Sequence, residues 1–195
     1  VVAGLRGVVD IDAGTSHSIA VTAEGGLYTW GMGRAMGHGG DGDTQFVAPT
    51  KVTGGGIGEA AVVQVAAASR HTMALTASGE LYAWGKGNHG QLGHGGKENL
   101  AVPRVVDGIE GAVTGMSGGT HHSLVTTAEG RVLVFGGGGG WGSGRGGERL
   151  WYRLRSMGSP WARETKERRG KSEYMSLFVG LGSVERRTRG RTRNT

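Results

Sequence analysis

Three fifteen-residue segments of this chain align without a gap. They are HSIAVTAEGGLYTWG from His17 to Gly31, HTMALTASGELYAWG from His71 to Gly85, and HSLVTTAEGRVLVFG from His122 to Gly136, at offsets of 54 and 51 residues. A fixed period of about fifty residues is the mark of a repeat architecture. In such folds each unit hides its apolar face only by stacking on a neighbouring copy.

The residues of each unit read as β-structure. A run with β-branched residues leads in, Val8-Val9-Asp10-Ile11 in the first unit and Val62-Val63-Gln64-Val65 in the second. A small-residue turn follows, and then a His-Ser/Thr pair opens a second strand, Ile19 to Thr22 or Met73 to Thr76. Gly25, Gly79 and Gly130 stand where a tight turn requires positive φ. A third strand ends on an aromatic residue, Trp30, Trp84 or Phe135, which reads as a packing anchor between units. The second and third strands form a hairpin. A Gly-rich loop leads to a Pro-bearing segment, Val47 to Val52 or Ala101 to Val106. Proline cannot donate to a ladder, so this fourth strand belongs at a sheet edge. Four strands per fifty residues describe a propeller blade. Glycine, at 42 of 195 residues, and the lack of a helical apolar period speak against helices in 1–144.

The second unit continues Trp84-Gly85-Lys86-Gly87-Asn88-His89-Gly90-Gln91-Leu92-Gly93-His94-Gly95. This resembles the WGxNxxGQLGxG signature of the RCC1 (regulator of chromosome condensation) repeat family. The first unit departs from it: Gly31 to Gly39 is two residues shorter and lacks the Asn and the Gln-Leu pair. The third unit loses the motif after Gly136. Kelch and WD repeats have comparable periods, but their glycine and aromatic patterns fit less well. The resemblance implies an all-β, incomplete RCC1-type propeller, seven-bladed when complete. The expected organisation is blade 1 at about 8–54, blade 2 at about 62–108 and a partial blade 3 at about 112–136, all within 1–144. Three units cannot close a ring of seven. The chain therefore reads as a fragment of a longer propeller, as one needing blades from another chain, or as a marginally stable fold.

The charge is asymmetric. Residues 1–144 hold 8 Lys/Arg against 11 Asp/Glu, and residues 145–195 hold 14 against 5. The segment 145–195 is expected to be a disordered basic tail. Its Arg186, Arg187, Arg189, Arg191 and Arg193 are candidates for contact with nucleic acid or acidic partners, or for a nuclear address. The competing reading is a solvated tail, or residues from a mis-predicted exon or shifted frame, and the abrupt loss of the repeat favours it.

Several motifs mimic catalytic signatures. Gly85 to Gly90 spells GxGxxG, but the Gln91-Leu92-Gly93 run after it cannot begin the helix that a dinucleotide site needs. Gly115-Met116-Ser117-Gly118-Gly119 spells GxSxG, but a strand comes after it. Gly136 to Gly147 lacks the Gly-Lys-Ser/Thr of a phosphate loop. The chain has no cysteine, which removes disulfides, thiolate ligands and cysteine nucleophiles. His17, His71 and His122 recur at one place per unit, too far apart for a shared metal, and each is expected to hydrogen-bond backbone at the start of its strand. No metal or cofactor is expected, and no catalytic residue. No apolar run reaches membrane-span length, and no signal-peptide pattern opens the chain.

Loops on a rigid scaffold carry binding. Candidate partner contacts are therefore His38, Asp41, Asp43, Asn88, His89, His94 and Lys97, with the loop histidines expected to be exposed. The resemblance implies a non-enzymatic protein-interaction scaffold with a protein partner, in the cytoplasm or nucleus. Its alternative is guanine-nucleotide exchange on a Ran-type small GTPase with chromatin binding. A third reading is nucleic-acid contact through the tail.

Overall fold

The computed structural model describes residues 4–137 except 41 and 43, together with the backbone of three strands between 150 and 177. Every sheet is antiparallel, and the described residues contain no α-helix. Blade 1 is a four-stranded sheet in the order β1 (Val8–Ala13), β2 (His17–Thr22), β3 (Leu27–Met32), β4 (Gln45–Lys51). Blade 2 repeats it with β5 (Val62–Ala67), β6 (His71–Thr76), β7 (Leu81–Gly85) and β8 (Leu100–Val105). Blade 3 contains β9 (Val113–Gly118), β10 (His122–Thr127) and β11 (Arg131–Gly136).

The expected elements are present. The hairpin glycines Gly25, Gly79 and Gly130 have φ of 80, 84 and 71°. Pro49 and Pro103 lie on outer edge strands, where the ladder skips. Thr50 pairs with Thr29, but the next partner of β3 is Phe46; Arg104 pairs with Ala83, but the next partner of β7 is Leu100. Both prolines thus stand in bulges, where no ladder donor is required.

Blade 3 is more complete than its repeat implies. A strand β12 (Leu150–Arg153) pairs with β11, Leu150 opposite Val134 and Arg153 opposite Arg131, in the place of β4 and β8. It carries no proline, which is why the sequence pattern passes over it. The sheet continues through β13 (Ala162–Arg168) and β14 (Lys171–Leu177), in a stretch where the sequence suggests no element. The remainder of 145–195, including Arg186, Arg187, Arg189, Arg191 and Arg193, lies outside the described residues.

The core sits between blades. Ile19, Val21 and Leu27 of blade 1 meet Ala74, Tyr82 and Trp84 of blade 2. Met73, Leu75, Leu81 and Ala83, on the other side of blade 2, meet Val125, Leu133 and Phe135 of blade 3. Alternation along the strands sends successive residues to opposite faces, so each blade has a forward face toward the next unit and a back face toward the previous one.

Candidate partner-binding surface

The recurring histidines do not bind their own backbone as the sequence suggests. The Nε2 of His17 lies 2.9 Å from Thr72 Oγ1 of the next blade, and that of His71 lies 2.7 Å from Ser123 Oγ of the blade after. Each hydroxyl has one proton and donates it to a carbonyl of the preceding blade's loop, Thr72 to Ala35 at 2.7 Å and Ser123 to Gln91 at 2.8 Å. The hydroxyl must then accept from the imidazole, which fixes Nε2 as the protonated nitrogen in both rings. Nδ1 of each is buried and meets no donor. Burial holds both pKa values down at about 4, against Asp12 in the case of His17 and reinforced by neighbouring histidines at His71. Both rings are therefore neutral near pH 7 and act as latches between blades.

The signature loop closes the same joint. Ala35 O also receives the indole N–H of Trp84 at 2.7 Å. Gln91 is buried; its carbonyl takes the Ser123 proton while Oε1 accepts from His89 N at 2.9 Å. The first unit, which lacks Gln-Leu, puts Ala35 and Met36 in the same roles on a short 3-10 turn, Arg34–Met36. Met36 is buried there as Leu92 is in the second unit. At Gly37 a Cβ would come within 2.8 Å of the Trp84 ring, and at Gly93 within 2.9 Å of the Phe135 ring, so glycine is needed where the loop crosses the aromatic anchor. Blade 1 adds a clasp of its own: Asp10 and Asp12 accept from Val65 N at 2.9 Å and Ala67 N at 2.8 Å of β5. Sequence reasoning missed this carboxylate pair, which has no counterpart in the second unit, where Gln64 and Ala66 stand.

The candidate contact residues divide. His38 and His94 are half-buried rather than exposed, because each folds back onto its own third strand. His38 Nε2 lies 2.9 Å from Thr29 Oγ1 and its ring lies 4.4 Å from that of Phe46; burial lowers its pKa. His94 Nε2 lies 3.2 Å from Ala83 O. Asn88, His89 and Lys97 are exposed on the loop joining β7 to β8. His89 stacks on His121 at 4.3 Å across the joint with blade 3. Asp41 and Asp43 lie outside the described residues.

The catalytic look-alikes resolve as structure. Gly85 to Gly90 leads into turns rather than a helix, and Ser117 lies within β9. Among the described residues no group of three His, Asp or Glu stands close enough to hold a metal ion, and no helix is long and apolar enough to cross a membrane.

Comparison with known proteins agrees with this geometry. A model of the regulator of chromosome condensation (RCC1) repeat matches residues 24–75 and 78–126, and a second model of that repeat matches 8–37 and 62–91. The E3 ubiquitin-protein ligase HERC2 of Homo sapiens is 39% identical over 150 residues, 73% of this chain and 3% of that protein. The ultraviolet-B receptor UVR8 of Arabidopsis thaliana is 38% identical over 134 residues, 68% of this chain and 28% of that protein. Among solved structures, human WBSCR16 superposes with a TM-score of 0.65 at 23% identity, over 87% of this chain and 47% of that one. Prp20p of Saccharomyces cerevisiae, whose binding to Gsp1p and histones is described with its structure, superposes at 0.59 and 22% identity, over 68% of this chain and 34% of that one. This chain thus spans less than half of each of these relatives. With the repeat models covering more than half of its length and the latch residues recurring from blade to blade, the chain belongs to the RCC1 repeat family.

Proposed function

We propose that this chain is a non-enzymatic interaction scaffold whose propeller is completed by blades beyond its own three. The observation that carries this reading is the fate of the signature residues. His17, His71, Thr72, Trp84, Gln91 and Ser123 are all engaged between blades, which leaves the binding of partners to exposed loop residues. Asn88, His89 and Lys97 share one loop at one end of the stack and form the proposed contact surface for a protein partner. A partner-binding role for the basic residues that follow β14 belongs to the same proposal.

Exchange activity on a small GTPase is the competing reading, favoured only by the resemblance to Prp20p. The two are separated by release of a fluorescent guanine nucleotide from a Ran-type GTPase. The scaffold reading predicts release at the spontaneous rate with this chain present, and acceleration would overturn it. The contact surface is tested with the chain as bait. The double variant Asn88→Ala, Lys97→Ala, which leaves the His89–His121 contact in place, should release a partner that the wild type retains, with an unchanged melting temperature. Equal retention by the variant would remove the loop from the proposal.

A further inference from the structure

The two ends of the blade stack differ in charge. At one end lie the hairpin turns, with Glu24, Glu80 and Glu129, and the connectors between blades, with Glu59, Asp107 and Glu110. Arg131 is paired there, 2.6 Å from Glu110 and 3.6 Å from Glu129. At the other end β6 begins and β7 finishes. The signature loop leaves from this end with Lys86, Lys97 and Glu98, and Arg70 stands in the turn before β6. Arg70, Lys97 and Glu98 are exposed, and Lys86 is half-buried. Among the described residues no carboxylate forms an ion pair with Arg70, Lys86 or Lys97.

Arg70 and Lys86 stand opposite each other, one step past the His71–Gly85 pair, where Lys86 N donates to Arg70 O at 2.8 Å. The same backbone bond forms in blade 1 from Met32 to Ser16 at 2.8 Å, and in blade 3 from Gly137 to His121 at 3.1 Å. An uncharged pair therefore makes this contact in blade 1, and the fold needs no charge at either place. Like charges directly opposite each other destabilise a strand pair. Of the three blades only blade 2 sets two fixed cations here, and blade 2 has a neighbour on each side. Gly87 N donates to Asn99 Oδ1 at 2.9 Å, which returns the far arm of the loop, with Lys97, toward Lys86.

We infer that Arg70 and Lys86, with Lys97 beside them, bind a carboxylate of an acidic segment in the protein partner. The Arg70 guanidinium can hold a carboxylate through two parallel hydrogen bonds, and Lys86 adds a compact positive charge. A negative group seated between them turns their mutual repulsion into attraction. Nucleic acid fits this place less well. Three cations with Glu98 among them make no continuous basic stripe, and residues 1–144 hold 8 Lys/Arg against 11 Asp/Glu. The inference rests on the scaffold reading, and it adds two residues and a partner chemistry to the loop surface proposed there.

The probe is a fluorescein-labelled oligoglutamate peptide, titrated with the full chain at low salt, where surface charges are least screened. Arg186, Arg187, Arg189, Arg191 and Arg193 are replaced by Gln throughout, so that these arginines do not compete. In that background the chain should bind oligoglutamate and not oligoglutamine. Arg70→Ser, Lys86→Met installs the residues that blade 1 has at these places, and should weaken oligoglutamate about tenfold. Its unfolding midpoint should stay level or rise, because the like-charge pair is gone. Should the double variant fail to fold, Arg70→Gln alone carries the test, with a loss of about threefold to fivefold. Absent binding of oligoglutamate, or equal binding by the folded variant, would overturn the inference. An oligothymidylate of the same charge that binds more tightly than oligoglutamate, and loses as much in the variant, would assign the place to phosphate and overturn it too. Oligoglutamate left unbound by a chain that still retains its protein partner would end this inference and leave the scaffold reading standing.

Discussion

Blades 2 and 3 carry the same cassette in different surroundings. In blade 2 every residue of β6 and β7 is buried, since blade 1 covers one face and blade 3 the other. In blade 3 the residues of β10 alternate between exposed and buried, because among the described residues only its back face has a neighbour. His71 is latched, whereas His122, at the same place in its cassette, is exposed. The signature residues therefore do not stabilise the blade that bears them. Their worth lies at the joint, and it appears only when the adjacent unit is present, as nearest-neighbour coupling in stacked repeats requires.

The largest way to break this contrast is to remove the anchor of a filled joint. Trp84→Ala deletes a fully buried indole and its bond to Ala35 O, and should cost about 3–5 kcal/mol in a urea unfolding titration. A loss below about 1 kcal/mol would show that the joint does not depend on it.

Acid should act on the same joints. His17 and His71 have pKa values of about 4 in the folded chain and an ordinary 6.5 when unfolded. The folded state thus binds fewer protons between these values. The latch contribution is complete above pH 6.5 and is lost as pH falls toward 4, by about 3 kcal/mol for each ring. Unfolding titrations across this window should show the decline, and the double variant His17→Gln, His71→Gln should flatten it. A wild type whose stability is level from pH 7 to 4.5 would contradict the neutral, buried latch.

The contrast sharpens with paired truncations. His71→Ala should cost about 2 kcal/mol, and His122→Ala less than about 0.5 kcal/mol in dilute protein. Similar losses at the two positions would mean that the histidine acts within its own blade. Trp84→Phe should cost about 1 kcal/mol, since the ring remains and only the N–H is lost. Phe135 already stands without that donor at the equivalent place, and Gln91 O there receives the Ser123 hydroxyl.

The strand plan was legible because it is local. The His-to-aromatic cassette, the positive-φ glycine in its turn and the edge proline mark β2, β3 and β4, and again β6, β7 and β8. The outer strand of blade 3 was not, since Leu150–Arg153 has no proline to mark it, although it begins 14 residues beyond Gly136, as Gln45 does beyond Gly31. The partner of each latch histidine was missed for a different reason. A repeat shows that His17 and Thr72 recur, but not which copy of one faces which copy of the other. A signal existed: every cassette offers one imidazole and one adjacent hydroxyl, and neighbours along a strand point to opposite faces, so pairing within a blade was excluded from the start. The exposure expected of His38 and His94 failed because loop membership says nothing about whether a ring folds back onto its own strand. Chain order could not reveal the Asp10 and Asp12 clasp, since its acceptors meet backbone N–H groups 55 residues away.

The most direct test is a double-mutant cycle on the His71–Ser123 latch, comparing His71→Ala, Ser123→Ala and the pair by equilibrium unfolding. If the signature residues act across the joint, the two losses are strongly non-additive, with a coupling of about 1 kcal/mol or more. Losses that add to within about 0.3 kcal/mol would place the two residues in separate roles and contradict the account.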